Sequence, residues 1–141
     1  YNKVAMTDNN EVAMTDNNEV AMTYSNKVAM TDNNEVAMTY NNKVAMTSYN
    51  KVAMTDNNEV AMTDNNVVCG LYNNQVEFKE RTIVVLGNDS KVKGSIGSWF
   101  VLYERDNNNE IMNAVTKRID GKKIKEDTWY KLEKGKLVEV K

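Results

Sequence analysis

The chain contains no proline and no histidine, and its 141 residues include a single cysteine. Without histidine it lacks the commonest general base, the usual proton shuttle and the commonest metal ligand. One cysteine, Cys69, allows neither an internal disulfide nor a cysteine-cluster zinc site. No apolar run approaches the ~18 residues that a membrane-spanning helix needs, so no membrane insertion is expected. A basic excess is missing too. Net charge is −2, whereas a nucleic-acid binder normally carries a basic patch. The length suits one ordinary domain or one short repeat array.

Asparagine is abundant instead, at 22 residues, beside nine methionines. Both follow from a repeat. Residues 1–66 are copies of one octad in two forms, Asp-Asn-Asn-Glu-Val-Ala-Met-Thr and Tyr-(Asn or Ser)-Asn-Lys-Val-Ala-Met-Thr. Valine recurs at 4, 12, 20, 28, 36, 44, 52 and 60 without an insertion, and methionine follows two places behind from Met6 to Met62. The register continues where the visible repeat has decayed. Val68, Val76, Val84, Val92 and Phe100 hold the valine column, while Gly70, Phe78, Leu86, Gly94 and Leu102 hold the methionine column. Asn2 to Asn74 fill a small polar column at every step, extended by Thr82, Ser90 and Ser98. Thirteen octads, residues 1–104, therefore read as one array: 1–66 near-perfect, 67–104 diverged.

Val-Ala-Met-Thr alternates with period two, the strand signature. The alternation turns Val and Met to one face and Lys/Glu, Ala and Thr to the other. The asparagines suit a turn, since Asn tolerates left-handed backbone angles. Helix is excluded because an eight-residue spacing drifts by about 80° per repeat around a helix, so no stripe forms. One short strand and one turn per octad, stacked repeatedly, predict an all-β fold: a β-solenoid.

Charge chooses the number of octads per coil, because rungs stack ~4.8 Å apart and like neighbours repel. Two octads per coil make the vertical neighbours Lys3–Glu19, Glu19–Glu35, Glu35–Lys51, Glu11–Lys27, Lys27–Lys43 and Lys43–Glu59, four of six opposite in sign. Three per coil would make four of five neighbours alike. Two octads, 16 residues per coil, are predicted. The same coil stacks Val67, Ile83 and Trp99, then Cys69, Val85 and Val101, into one outward apolar patch, and sets Glu77 over Lys93. A patch of that kind calls for a cover.

Residues 105–141 break the octad. Glu110 to Ile119 reads as a strand, Asp120-Gly121 as a turn, and Thr128–Leu132 with Leu137–Val140 as a hairpin around Gly135. These predict a small antiparallel β cap docked on the apolar patch, with a partner subunit as the other candidate cover. Cys69 is then expected to be a buried small apolar residue. Open solenoid ends expose unpaired strand edges. The chain starts mid-repeat at Tyr1, and so reads as a fragment, a processed product or one subunit of an end-to-end stack.

The ending, with Lys91-Val92-Lys93-Gly94-Ser95-Ile96-Gly97-Ser98-Trp99-Phe100-Val101-Leu102-Tyr103 and later Ile119-Asp120-Gly121-Lys122-Lys123, Thr128-Trp129-Tyr130-Lys131-Leu132, resembles the C-terminal part of uncharacterised short-repeat proteins of gut bacteria and their phages. The resemblance covers residues 88–141. Over 1–66 it is architectural, since Val-Ala-Met-Thr replaces a more Gly/Ala-rich unit. It implies variable repeat numbers ahead of a shared ending, and those proteins have no assigned activity to carry over. The Asn-Lys-Val-Ala-Met-Thr pattern is also similar to the Ser-Val-Ala-Ile-Gly unit in heads of trimeric autotransporter adhesins. That resemblance implies a left-handed, trimeric, adhesive β-roll.

Catalysis is not expected: any nucleophile would need Lys or a carboxylate as its base, and acid pairs such as Asp8 and Glu11 recur in every acidic octad as solvated turns do. No cofactor or metal is predicted. Asp-Asn-Asn turns offer calcium ligands, but Tyr24, Tyr40 and Ser48 replace the Asp and would break a shared ladder. Tyr1, Tyr24, Tyr40, Tyr49 and Tyr72 fall at turns, with Tyr24 and Tyr40 stacked in adjacent coils. Ala-x-Thr ladders, Ala5/Thr7, Ala13/Thr15, Ala21/Thr23 and onward, would place a repetitive hydroxyl and methyl grid on both faces. The function expected is a non-catalytic structural module that self-associates as a homo-oligomer or filament. The alternative is a ligand-binding solenoid that recognises ice or glycan.

Overall fold

A computed structural model describes residues 1–140 of the chain. The octads form β1 (Asn2–Asp8), β2 (Glu11–Met14), β3 (Asn18–Tyr24), β4 (Lys27–Met30), β5 (Glu35–Tyr40), β6 (Lys43–Met46), β7 (Lys51–Asp56) and β8 (Glu59–Met62). Their diverged successors are β9 (Val67–Tyr72), β10 (Gln75–Phe78), β11 (Ile83–Leu86), β12 (Lys91–Gly94) and β13 (Trp99–Arg105). Odd strands pair in parallel in one sheet and even strands in a second. Every partner lies sixteen residues away, as in Val4↔Val20 and Met14↔Met30. The fold is the predicted β-solenoid with two octads per coil.

Alternation decides what is inside. The Val and Met columns meet between the sheets and are buried from Val20 onward, while the Lys/Glu and Ala columns of residues 1–66 face outward. Further along, the methionine column changes size in compensating steps. Phe78 pairs with Gly94 on the next rung. A Cβ on Gly94 would lie 2.7 Å from the Phe78 ring, so the glycine makes room for it. Gly70 likewise faces Leu86, its partner in the first sheet.

Turns close through asparagine in two ways. One residue per octad takes a left-handed backbone angle, from Asn9 (φ 56°) and Asn17 (φ 61°) to Asn73 (φ 51°). Asn tolerates that conformation at lower cost than most residues. The next residue is the buried polar column. Asn34 is typical: its Oδ1 accepts from the backbone N–H and the Nδ2 of Asn18, both at 2.9 Å. Its own Nδ2 donates to Asn50 Oδ1 at 3.1 Å and to Thr31 O at 3.0 Å. Two such ladders, one through Asn18, Asn34 and Asn50 and one through Asn26, Asn42 and Asn58, run along opposite edges of the roll. Thr82 and Ser90 continue them by accepting the backbone N–H of Asn66 and Asn74.

The tail forms β14 (Ile111–Arg118), β15 (Trp129–Glu133) and β16 (Lys136–Val140). Here the structure corrects an expectation. The tail does not dock on the lateral patch; it extends both sheets and plugs the end of the core. β14 adds antiparallel to β13, and β15 adds antiparallel to β12, taking the rung that a fourteenth octad would fill. Ile119, Tyr130 and Leu132 are buried at that end, and the Tyr130 ring stacks on Phe100 at 6.4 Å. The physical reason is that an open core end and two unpaired edges offer the tail hydrogen bonds as well as apolar contact.

Candidate functional surfaces

The flat faces carry outward columns, three on the first sheet and two on the second. On the first sheet they are Lys3, Glu19, Glu35, Lys51; then Ala5, Ala21, Ala37, Ala53; then Thr7, Thr23, Thr39, Thr55. The small alanines form the floor of a shallow trough between the charged and threonine walls. On the second sheet the charged column is Glu11, Lys27, Lys43, Glu59, beside Ala13, Ala29, Ala45 and Ala61. Exposed ion pairs at 2.9 Å join Lys3 to Glu19, Lys51 to Glu35 and Lys43 to Glu59, three of the four opposite-sign neighbours anticipated from the register. The tyrosine hydroxyl of Tyr1 and the Lys3 ammonium hold the Glu19 carboxyl below its ordinary range.

The threonine grid differs between faces, contrary to the expectation of one on each. Thr7, Thr23, Thr39 and Thr55 lie within strands of the first sheet, but second-sheet strands stop at methionine, leaving Thr15, Thr31 and Thr47 in turns. There the Thr31 and Thr47 hydroxyls donate to the carboxylates of Asp16 and Asp32. The Thr47 hydroxyl and the Ser48 N–H together keep the Asp32 carboxyl below its usual range. On the first sheet, Thr39 and Thr55 donate back to the carbonyls of Thr23 and Thr39 at 2.7 and 2.8 Å.

The six apolar residues do come together. Val67, Ile83 and Trp99 share one register and Cys69, Val85 and Val101 the next. Val67, Ile83 and Trp99 are 51%, 52% and 50% exposed, so the tail leaves the patch open. Cys69, expected to be buried, is exposed for the same reason. Glu77 and Lys93 pair at 2.9 Å as their register requires.

Tyr24 and Tyr40 stack in adjacent coils with ring centres 5.4 Å apart and planes 11° from parallel. Each ring thereby covers a face of the other, which is the face a sugar would stack on. A feature that the residues alone did not reveal is Trp129. β15 carries it beside β12, where the Lys91 and Lys93 ammonium groups sit 5.0 and 5.2 Å from its ring centre. Only the pairing of the tail strand creates that contact.

No protein-family model matches the chain, and searches of curated proteins and of solved structures found no match.

Proposed function

We propose that the chain is a non-catalytic structural module that presents a rigid β-solenoid surface and associates with further copies of itself. The observation that carries this is the half-exposed apolar stripe of Val67, Ile83 and Trp99, held in register on a rigid sheet. Contiguous apolar surface of this kind marks an interaction site. The resemblance of residues 88–141 to the endings of short-repeat proteins supports placing the module in a larger bacterial or phage protein. Light scattering on the purified chain at low salt tests the proposal. Masses above 16 kDa that rise with concentration support it, and a 16 kDa species at every concentration would overturn it.

A second reading, ice binding, rests on the first-sheet columns Ala5, Ala21, Ala37 and Thr7, Thr23, Thr39, whose exposed methyls and hydroxyls repeat with the rungs. Against it, the hydroxyls of Thr39 and Thr55 already donate to backbone carbonyls and a Lys or Glu flanks each strand. Replacing Thr7, Thr23 and Thr39 with Lys would abolish thermal hysteresis if this reading held, and would leave a structural rod intact.

A further inference from the structure

The charged columns on the two faces are opposite in sign, position for position. Along the first sheet the order is Lys3, Glu19, Glu35, Lys51; along the second it is Glu11, Lys27, Lys43, Glu59. Each order reads the same in reverse. Each also has two like charges at its centre, Glu19 beside Glu35 and Lys27 beside Lys43. Like charges directly opposite one another destabilise a sheet, and the chain offsets this from the outer rungs, where Lys3, Lys51 and Glu59 pair with Glu19, Glu35 and Lys43 at 2.9 Å.

We propose that these faces recognise each other: the first sheet of one copy packs on the second sheet of another, turned end over end. The turn is required by topology. Short connections reverse the chain between sheets, so the charged columns lie at strand starts on opposite edges of the roll. Rotation by half a turn about the sheet normal brings them opposite one another. Lys3 then meets Glu59 of the second copy, Glu19 meets Lys43, Glu35 meets Lys27 and Lys51 meets Glu11, so every charge of both columns faces an opposite one across the interface, beyond the pairs within each chain. The rungs of both copies share one sixteen-residue repeat, so all four contacts stay in step. The alanine columns beside the charges let the sheets approach closely. Packing the first sheet on another first sheet in the orientation that aligns the charged columns sets like on like throughout. A pair of copies keeps one face of each kind free, so the stack propagates.

This inference rests on the self-association proposed above, and its test separates the two. One variant carries Glu19→Lys and Glu35→Lys; the other carries Lys27→Glu and Lys43→Glu. At low salt each alone should associate at least ~10-fold more weakly than the parent, and an equimolar mixture should regain assembly with alternating composition. Raising salt to ~0.5 M should weaken the parent by a similar factor, since exposed charges are then screened. Circular dichroism checks folding, and Glu19→Gln with Glu35→Gln removes the central attraction without adding a lysine column. That neutral variant should also associate more weakly. Variants that associate as well as the parent, or a mixture that stays dissociated while the parent assembles, would overturn the charge-matched faces and leave self-association through another surface standing. A parent that stays at 16 kDa at low salt would overturn both.

Discussion

At the residue scale, the octad asks two neighbouring positions for different things, and both can be tested singly. The left-handed position tolerates Asn well, yet Tyr49 occupies it with φ 61°. A left-handed angle costs an ordinary residue roughly 1–2 kcal/mol. Tyr49→Asn should therefore raise the unfolding free energy by about 1 kcal/mol in urea denaturation, with an unchanged m-value. The buried position is stricter. Asn34→Ala removes the acceptor for two donors of Asn18 and the donor to Asn50 and Thr31, leaving polar groups buried without partners. Each such orphan costs about 1–3 kcal/mol. We expect Asn34→Ala to lose about 3 kcal/mol or more, and Asn34→Thr distinctly less, because Thr82 already performs the reduced version of that role.

At the element scale, the coupled pair is Phe78 and Gly94. Gly94→Ala forces a methyl to within 3 Å of both the Phe78 ring and Ile119, and overpacking of this sort costs about 1–3 kcal/mol. Phe78→Leu in the same chain should recover a good part of that loss, a coupling that thermal or urea melts of the two single variants and the double variant will measure. The elements themselves were largely legible. Period-two alternation in Val-Ala-Met-Thr exposed the strands, and the charge order of Lys3, Glu19, Glu35 and Lys51 identified the sixteen-residue coil. Two things were not. Identical Val-Ala-Met-Thr segments make strands of 6–7 residues in the first sheet through β7 and of 4 in the second through β8. That difference lies at the two kinds of corner, and no local periodicity records it. The destination of the tail was equally hidden, because Ile119 and Tyr130 answer to the end of a core that only the assembled roll creates.

At the scale of the whole molecule, the tail holds an end and the lateral patch stays free, which makes Tyr130 and Trp99 unequal. Tyr130→Ala removes a buried ring stacked on Phe100 and a hydroxyl that accepts the Lys125 N–H, and should cost about 3–5 kcal/mol in melts. Trp99→Asp acts at a half-exposed position and should change stability by less than about 1 kcal/mol, while weakening the self-association proposed for the apolar stripe, as light scattering would show. The same division applies to charge. The matched faces run through the first 59 residues and the apolar stripe through the last three first-sheet parallel strands, so one side of the roll offers two kinds of contact in series.

The most direct measurement is cryo-electron microscopy of the assemblies that form at low salt. Lateral stacks should appear, with rods side by side and a copy-to-copy repeat of about 20 Å, set by sheets that pack ~10 Å apart within and between copies. Isolated 16 kDa particles, or filaments in which copies follow end to end along the solenoid axis, would contradict a rod that assembles through its faces.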